Sequence, residues 1–209
     1  KEALLQWADT HKAFIVENDY EHEIHNYKNK TPAIYSLDTQ QRTVYLGTFN
    51  RILHPSIRLG YMVLPPYLIK PVEAILQHSH RFVPTSIQVV LNQFIERNYL
   101  YTHIKNIWQV AKDRLSLFEK VFEEEFGNNL KLTQSEAPSL HTLALLPPKL
   151  SDTEVVKLMA EHNIVCHAYS KCFVGEPKMQ GLILGYSSVR PPILKRKLKE
   201  MARLYHTLL

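Results

Sequence analysis

Residues 47 to 61, GTFNRILHPSIRLGY, hold two arginines, Arg51 and Arg58, seven positions apart in a tight loop between two strand-like runs. Together with Thr48 they can form charge-assisted hydrogen bonds to a phosphate. Loops of this build bind phosphorylated cofactors and carry one lysine that attacks the cofactor. Here no lysine occurs between Lys30 and Lys70. Arginine cannot take over that chemistry. Its guanidinium holds its proton, with a pKa above about 12, and has no lone pair to offer a carbonyl.

Other chemistry-bearing residues read more plainly. The histidines of HEIH, His22 and His25, stand three apart in an expected loop, whereas the zinc motif HExxH sets them four apart on a helix. His78 and His80 fall on opposite sides of a helix end and read as solvated. Cys166 belongs to an expected strand and so to a core. Lys171 sits in a loop before Cys172 and reads as a surface lysine, the one spare amine to place against the loop at 47 to 61. Two cysteines are too few for a disulfide scaffold and fit a reducing cytosol. No metal site is expected.

The chain of 209 residues is 45% hydrophobic and 22% charged, the composition of an ordinary globular protein. No apolar run approaches the roughly 20 residues of a membrane helix, and the opening residues do not read as a signal peptide, so the expected location is the cytoplasm. The net charge of +5 permits contact with nucleic acid without arguing for it, because basic residues are spread along the chain. The densest cluster, RPPILKRKLKEMAR (190 to 203), reads as an amphipathic helix. Leu194, Leu198, Met201 and Leu204 form its apolar stripe, and Lys195, Arg196, Lys197 and Lys199 its wet face.

The elements that must position the arginine loop follow from apolar periodicity. KEALLQWADTHK reads as a helix feeding a buried strand in AFIVENDY, half of a parallel α/β repeat with no strand before it, so the sequence reads as starting inside a domain. PAIYSLD, TVYLGTF and IRLGYMVLP read as strands. Helices are expected at about 68–80, up to about 98, and about 101–125. The face of the last is marked by Ile104, Trp108, Ala111, Leu115, Phe118 and Phe122, and Gly127 stops it. Beyond it, LKLTQ, SLHTLALLP, IVCHA and GLILGYS read as strands. SDTEVVKLMAEHN reads as a helix with a capping box from Ser151 to Glu154, and a final helix closes the chain. These patterns divide it into 1–110 and a small α+β domain, 111–209.

Four landmarks, FIVENDYEHEI, YLGTFNRILHPSIRLGYMVLP, FIERNYLYTHIKNI and LILGYSSV, occur in an order and at separations that resemble the aminotransferase-like domain of MocR-type regulators. These are the GntR-family branch that joins a winged helix-turn-helix to a fold-type-I domain for pyridoxal phosphate (PLP). The resemblance covers essentially the whole chain. It implies an α/β fold: part of the large domain of a fold-type-I aminotransferase, with an incomplete, mostly parallel sheet, followed by the small α+β domain. It also implies a homodimer and an upstream head through which DNA is bound.

The resemblance assigns roles residue by residue. The family's Asp-Asp-Tyr is Asn18, Asp19 and Tyr20 here; its first Asp pairs with the pyridine nitrogen and its Tyr with the cofactor's phenolic oxygen. Asp19 cannot stand in for Asn18, because neighbours on a strand face opposite ways. The family's Gly-Thr-Phe-Ser-Lys is Gly47, Thr48, Phe49, Asn50 and Arg51, with Arg58 as the phosphate-gripping arginine. Arg51 therefore occupies the Schiff-base lysine's place. The carboxylate-binding arginine of Arg-Leu-Gly-Phe is replaced by Ile183. The implied cofactor-binding set is Asn18, Tyr20, Thr48, Asn50, Arg51 and Arg58, with no catalytic residue, and any PLP or other anionic effector would be held without a covalent bond. Three readings stay open: an effector-sensing module, an enzyme still using PLP, and a ligand-free scaffold in which Arg51 pairs with Asp19 or Glu17. The first is the expected one.

Overall fold

The computed structural model describes residues 1–19, 23, 31–79, 83–133 and 139–209. The chain divides into two compact units, Lys1–Ile107 and Trp108–Leu209. The histidines of HEIH, His80 and Tyr20 lie outside the described residues.

In the first unit, α1 (Glu2–Thr10) leads into β1 (Ile15–Asn18), a single-turn helix α2 (Ile34–Leu37) and β2 (Thr43–Thr48). A 3₁₀ turn (Pro55–Ile57) separates β2 from β3 (Gly60–Val63). The sheet order is β1-β2-β3. β1 runs parallel to β2, with Ile15 beside Thr43 and Asn18 beside Leu46, and β3 returns antiparallel, with Thr48 beside Gly60. Helices α3 (Pro66–His78), α4 (Thr85–Glu96) and α5 (Tyr99–Phe126) follow, and the division between the units falls inside α5.

The strand expected in PAIYSLD is α2 instead. The Glu17 carboxylate on β1 accepts hydrogen bonds from the amides of Ile34 (2.8 Å) and Tyr35 (2.9 Å), satisfying the first amides of a helical turn. Asp38 then collects the amides of Gln40, Arg42 and Thr43 at 2.7–2.8 Å and bends the chain into β2. Tertiary capping outweighs the strand propensity of Ile34 and Tyr35. Glu17 is thereby committed to backbone amides.

Gly47 is fixed by its cross-strand neighbour. A Cβ there would lie 2.2 Å from Cζ of Tyr61, whose ring covers the glycine. Gly47→Ala is expected to lower stability by about 1–3 kcal/mol through overpacking. A thermal melt that falls for Gly47→Ala and recovers in Gly47→Ala/Tyr61→Ala checks this; an unchanged melt of the single variant contradicts it.

The second unit holds a four-stranded antiparallel sheet of order β4-β5-β7-β6, built from β4 (Lys131–Leu132), β5 (His141–Leu145), β6 (His167–Ala168) and β7 (Gly181–Gly185). The expected strands in LKLTQ and IVCHA are thus only two residues long. Helices α6 (Asp152–Glu161) and α7 (Pro191–His206) and the end of α5 complete a core around Phe118, Phe122, Phe126, Met159, Leu182, Tyr186 and Tyr205. The rings of Phe122 and Phe126 stack at 4.3 Å. Of the expected stripe on α5, Trp108, Ala111, Phe118 and Phe122 are buried, and Ile104 and Leu115 are half-buried. Gly127 has φ +53°, the left-handed stop that ends such a helix. The capping box at Ser151 does not form: its hydroxyl pairs with Thr153 Oγ1 at 2.8 Å. Burial pushes the Cys166 thiol up to about 11, as befits a core cysteine.

The two units differ in how much they bury. Neither β3 nor α3 contains a buried residue, and α4 contributes Leu91 alone. Ile75, Val89 and Val90 are more than half exposed. This is the uncovered apolar face expected of part of a larger α/β domain. No helix among the described residues is long and apolar enough to cross a membrane.

Candidate functional site

The arginine loop joins β2 to β3 and is held by a frame of short-range bonds. Thr48 Oγ1 accepts from the Asn50 amide at 3.2 Å, Asn50 Oδ1 accepts from the Leu59 amide at 3.1 Å, and the Phe49 amide donates to the Leu59 carbonyl at 3.0 Å. The loop therefore closes on itself, and Thr48 and Asn50 shape it as much as they present polar atoms. Ile52 and Leu59, 2% and 6% exposed, anchor its two sides. Each follows an arginine directly, so burial of the two apolar side chains leaves Arg51 and Arg58 at the surface.

Two further features define the loop. His103 on α5 donates from Nε2 to the Ile52 carbonyl at 2.7 Å, pinning the chain next to Arg51. That contact spans 51 residues and has no local sequence signal. Arg58 adopts the left-handed conformation, φ 50°, ψ 37°, which is strained for a residue with a Cβ. Strained backbone of this kind clusters at ligand clamps.

Asn18 ends β1 beside Leu46. Strand alternation places Asn18, Leu46 and Thr48 on one face of the sheet. Asp19 turns to the other face, where Tyr45 and Tyr61 lie. Burial first, then the neighbouring Tyr61, the charge of Asp19, a hydrogen bond with Tyr61 and the charge of Glu23 push the Tyr45 hydroxyl well above its ordinary value; burial and Glu23 raise Tyr61 as well. This tyrosine pair was not among the residues singled out by sequence. Asp19 is thus engaged on the face opposite Asn18 and supplies no anion there.

The other predicted positions fall elsewhere. Ile183 lies mid-strand in the second unit, in register with Leu143 on β5 and His167 on β6, so apolar surface stands where the resemblance calls for a carboxylate clamp. Lys171 is exposed on the 3₁₀ turn Tyr169–Cys172. An open groove of about 770 Å³ runs between β3 and α3, lined by Met62, Ile69, Val72 and Leu76 among others, and none of the implied cofactor ligands among the described residues lines it. Among the described residues no cluster of His, Cys, Asp and Glu could hold a metal ion.

Thr48 and the two exposed arginines share this loop, and their chemistry is that of groups that bond anions. The arrangement does not fit covalently bound PLP. The position that should carry an amine carries a guanidinium, and the position that should carry an anion for the ring nitrogen carries the neutral Asn18.

No protein-family model matches the chain. It is 28% identical over 189 residues to the uncharacterized HTH-type transcriptional regulator YhdI of Bacillus subtilis, covering 90% of this chain and 40% of that protein. It is 27% identical over 198 residues to the probable rhizopine catabolism regulatory protein MocR of Rhizobium meliloti, covering 95% of this chain and 40% of that protein. Among solved structures, the kynurenine aminotransferase of Pyrococcus horikoshii, crystallised in complex with PMP, superposes with a TM-score of 0.87 at 24% identity, covering 100% of this chain and 51% of that one. The chain thus spans about 40% of the two regulators and half of the enzyme. The order of strands and helices, the closed arginine loop and these likenesses agree: the chain has the fold of the fold-type-I aminotransferases and is similar to MocR-type regulators over nearly its whole length.

Proposed function

We propose that this chain is the effector-sensing and dimerisation part of a GntR/MocR-like transcription regulator, and that it performs no transamination. The observation that carries the reading is the loop Gly47–Tyr61. Its hydrogen-bonded frame is complete, yet its lysine position is Arg51. A site kept in shape without its nucleophile is suited to recognising a ligand rather than transforming it. Thr48, Arg51 and Arg58 would grip a phosphate, and Asn18 and Tyr20 would meet a ring. PLP itself, bound without a covalent link, is the first ligand to try. DNA would be bound by another part of the protein. The uncovered apolar residues of β3, α3 and α4 would pack against the remainder of the aminotransferase-like domain and a second copy. A ligand shifts such an assembly only by binding its two arrangements with different affinities.

Calorimetry of the full-length protein with PLP tests this. Saturable binding that Arg58→Ala weakens at least tenfold is the expected result; absence of heat at millimolar ligand would leave the scaffold reading. Arg58→Gly separates fold from function further. Relief of left-handed strain, about 1–2 kcal/mol, is partly offset by glycine's unfolded-state entropy, so stability should hold or rise by up to about 1 kcal/mol. The ligand-induced rise in melting temperature should nevertheless disappear. Loss of stability together with an undiminished ligand response would contradict the role given to Arg58.

A further inference from the structure

The net charge of the chain equals that of its last twenty residues, most of it on α7. Residues 190–209 contain six basic residues (Arg190, Lys195, Arg196, Lys197, Lys199 and Arg203) against one acid, Glu200. They hold the entire excess of +5, since the rest of the chain balances nineteen against nineteen. Summed over residues 1–189, basic and acidic residues cancel, so the terminal segment accounts for the excess.

The packing of α7 fixes which way these charges face. Leu194, Leu198, Met201, Ala202 and Tyr205 are buried, which leaves Lys195, Arg196, Lys199 and Arg203 exposed. Lys197 folds back to Glu200 at 2.8 Å and to the His162 carbonyl at 3.0 Å, and Lys199 reaches Glu125 on α5 at 3.6 Å. Among the described residues, Lys195, Arg196 and Arg203 make no ion pair. Lys195, Lys199 and Arg203 follow at i, i+4 and i+8, a spacing at which like charges repel along a helix. A face needed only for solubility mixes both signs evenly; this one carries four exposed cations, relieved only by Glu125 at Lys199 and by Glu200 one turn from Arg196.

We propose that the outward face of α7 docks on the phosphate backbone of duplex DNA next to the segment held by the DNA-reading part of the protein. This rests on the regulator reading. The stripe from Lys195 to Arg203 extends about 12 Å at 1.5 Å per residue. Over that length a duplex presents about seven phosphate charges, at one per 1.7 Å. Contacts of this kind position a protein on DNA without reading sequence. Even a weak contact counts when a linked module already holds the duplex close by.

The test compares the full-length protein with its Lys195→Ala/Arg196→Ala/Lys199→Ala/Arg203→Ala variant on random-sequence duplexes, one long and one just long enough for a single DNA-reading module, across a salt series. Alanine at these exposed positions keeps the helix, which circular dichroism verifies. On the long duplex the variant should bind at least tenfold more weakly at low salt. Its slope of log affinity against log salt should be smaller by up to about 3.6, or 0.9 for each of four phosphate contacts. On the short duplex the two proteins should match. Equal slopes and affinities on the long duplex overturn the proposal while leaving the regulator reading intact. Failure of the wild-type protein to bind either duplex removes that reading and this inference with it. Charge-dependent binding to phosphatidylserine vesicles, with both proteins equal on DNA, overturns the assignment in favour of a lipid surface.

Discussion

Arg51→Lys is expected to turn the full-length protein from one that leaves PLP unattached into one that borohydride labels stoichiometrically at residue 51. The wild-type position carries a guanidinium that cannot lose its proton or attack an aldehyde. Lysine restores an amine of the length the loop was built around. The frame it needs is already in place. Thr48, Asn50 and Leu59 close the loop, Ile52 is buried, and His103 holds its carbonyl. The substitution should restore attachment without restoring turnover, because the resemblance assigns the neutral Asn18 to the ring nitrogen and the apolar Ile183 to the substrate carboxylate. Peptide mapping after reduction distinguishes the outcomes. Label at residue 51 of the variant alone is the prediction; no label in either protein would show that more than the nucleophile has been lost from the site.

Asp152→Ala should be the most damaging single change in the second unit, at about 3–5 kcal/mol. Asp152 is fully buried at the first turn of α6. Its carboxylate accepts the Ser170 amide at 2.8 Å, the Ser170 hydroxyl at 2.6 Å and the Gly181 amide at 3.0 Å, joining α6 to the 3₁₀ turn and to the start of β7. Its own amide donates to Gln180 Oε1 at 3.0 Å. Alanine would leave the buried Gly181 amide and the half-buried Ser170 amide with no acceptor, at about 1–3 kcal/mol for a buried group. Ser170→Ala removes only the hydroxyl bond and should cost about 1–2 kcal/mol. Thermal unfolding ranks the two variants. Hydrogen exchange at Ser170 and Gly181 should accelerate in Asp152→Ala while exchange in β1 and β2 stays as in the wild type. Equal melting temperatures for both variants would show the carboxylate to be dispensable.

The parts of this molecule that were legible in sequence are those whose signals are local. The stripe of α5, the apolar face of α7 and the left-handed stop at Gly127 follow from periodicity and from glycine's conformational freedom. So do the two strands that flank the arginine loop, though not their antiparallel pairing. What was not legible depends on contacts distant in the chain. Ile34–Leu37 has strand-like composition and is a helical turn because Glu17, seventeen residues away, caps it. Ser151 begins a helix with capping-box spacing, yet the buried neighbour Asp152 carries the polar load. At the site, residue types pointed to Thr48, Arg51 and Arg58, and the resemblance added Asn18, Tyr20 and Asn50 as expected ligands; neither showed that Asn50 and Thr48 close the loop or that Arg58 is strained. The tyrosine pair beside Asp19 and the hydrogen bond from His103 had no signal in the sequence at all.

The proposed function requires that Arg51 leave the loop without an amine at the position where the resemblance implies covalent attachment of PLP. Incubation of the wild-type full-length protein with PLP, borohydride reduction and intact-mass measurement test it most directly. The prediction is an unchanged mass of the reduced protein, alongside saturable, reversible binding by calorimetry. A stoichiometric pyridoxyl increment mapping to one lysine, with turnover of an amino acid before reduction, would contradict it.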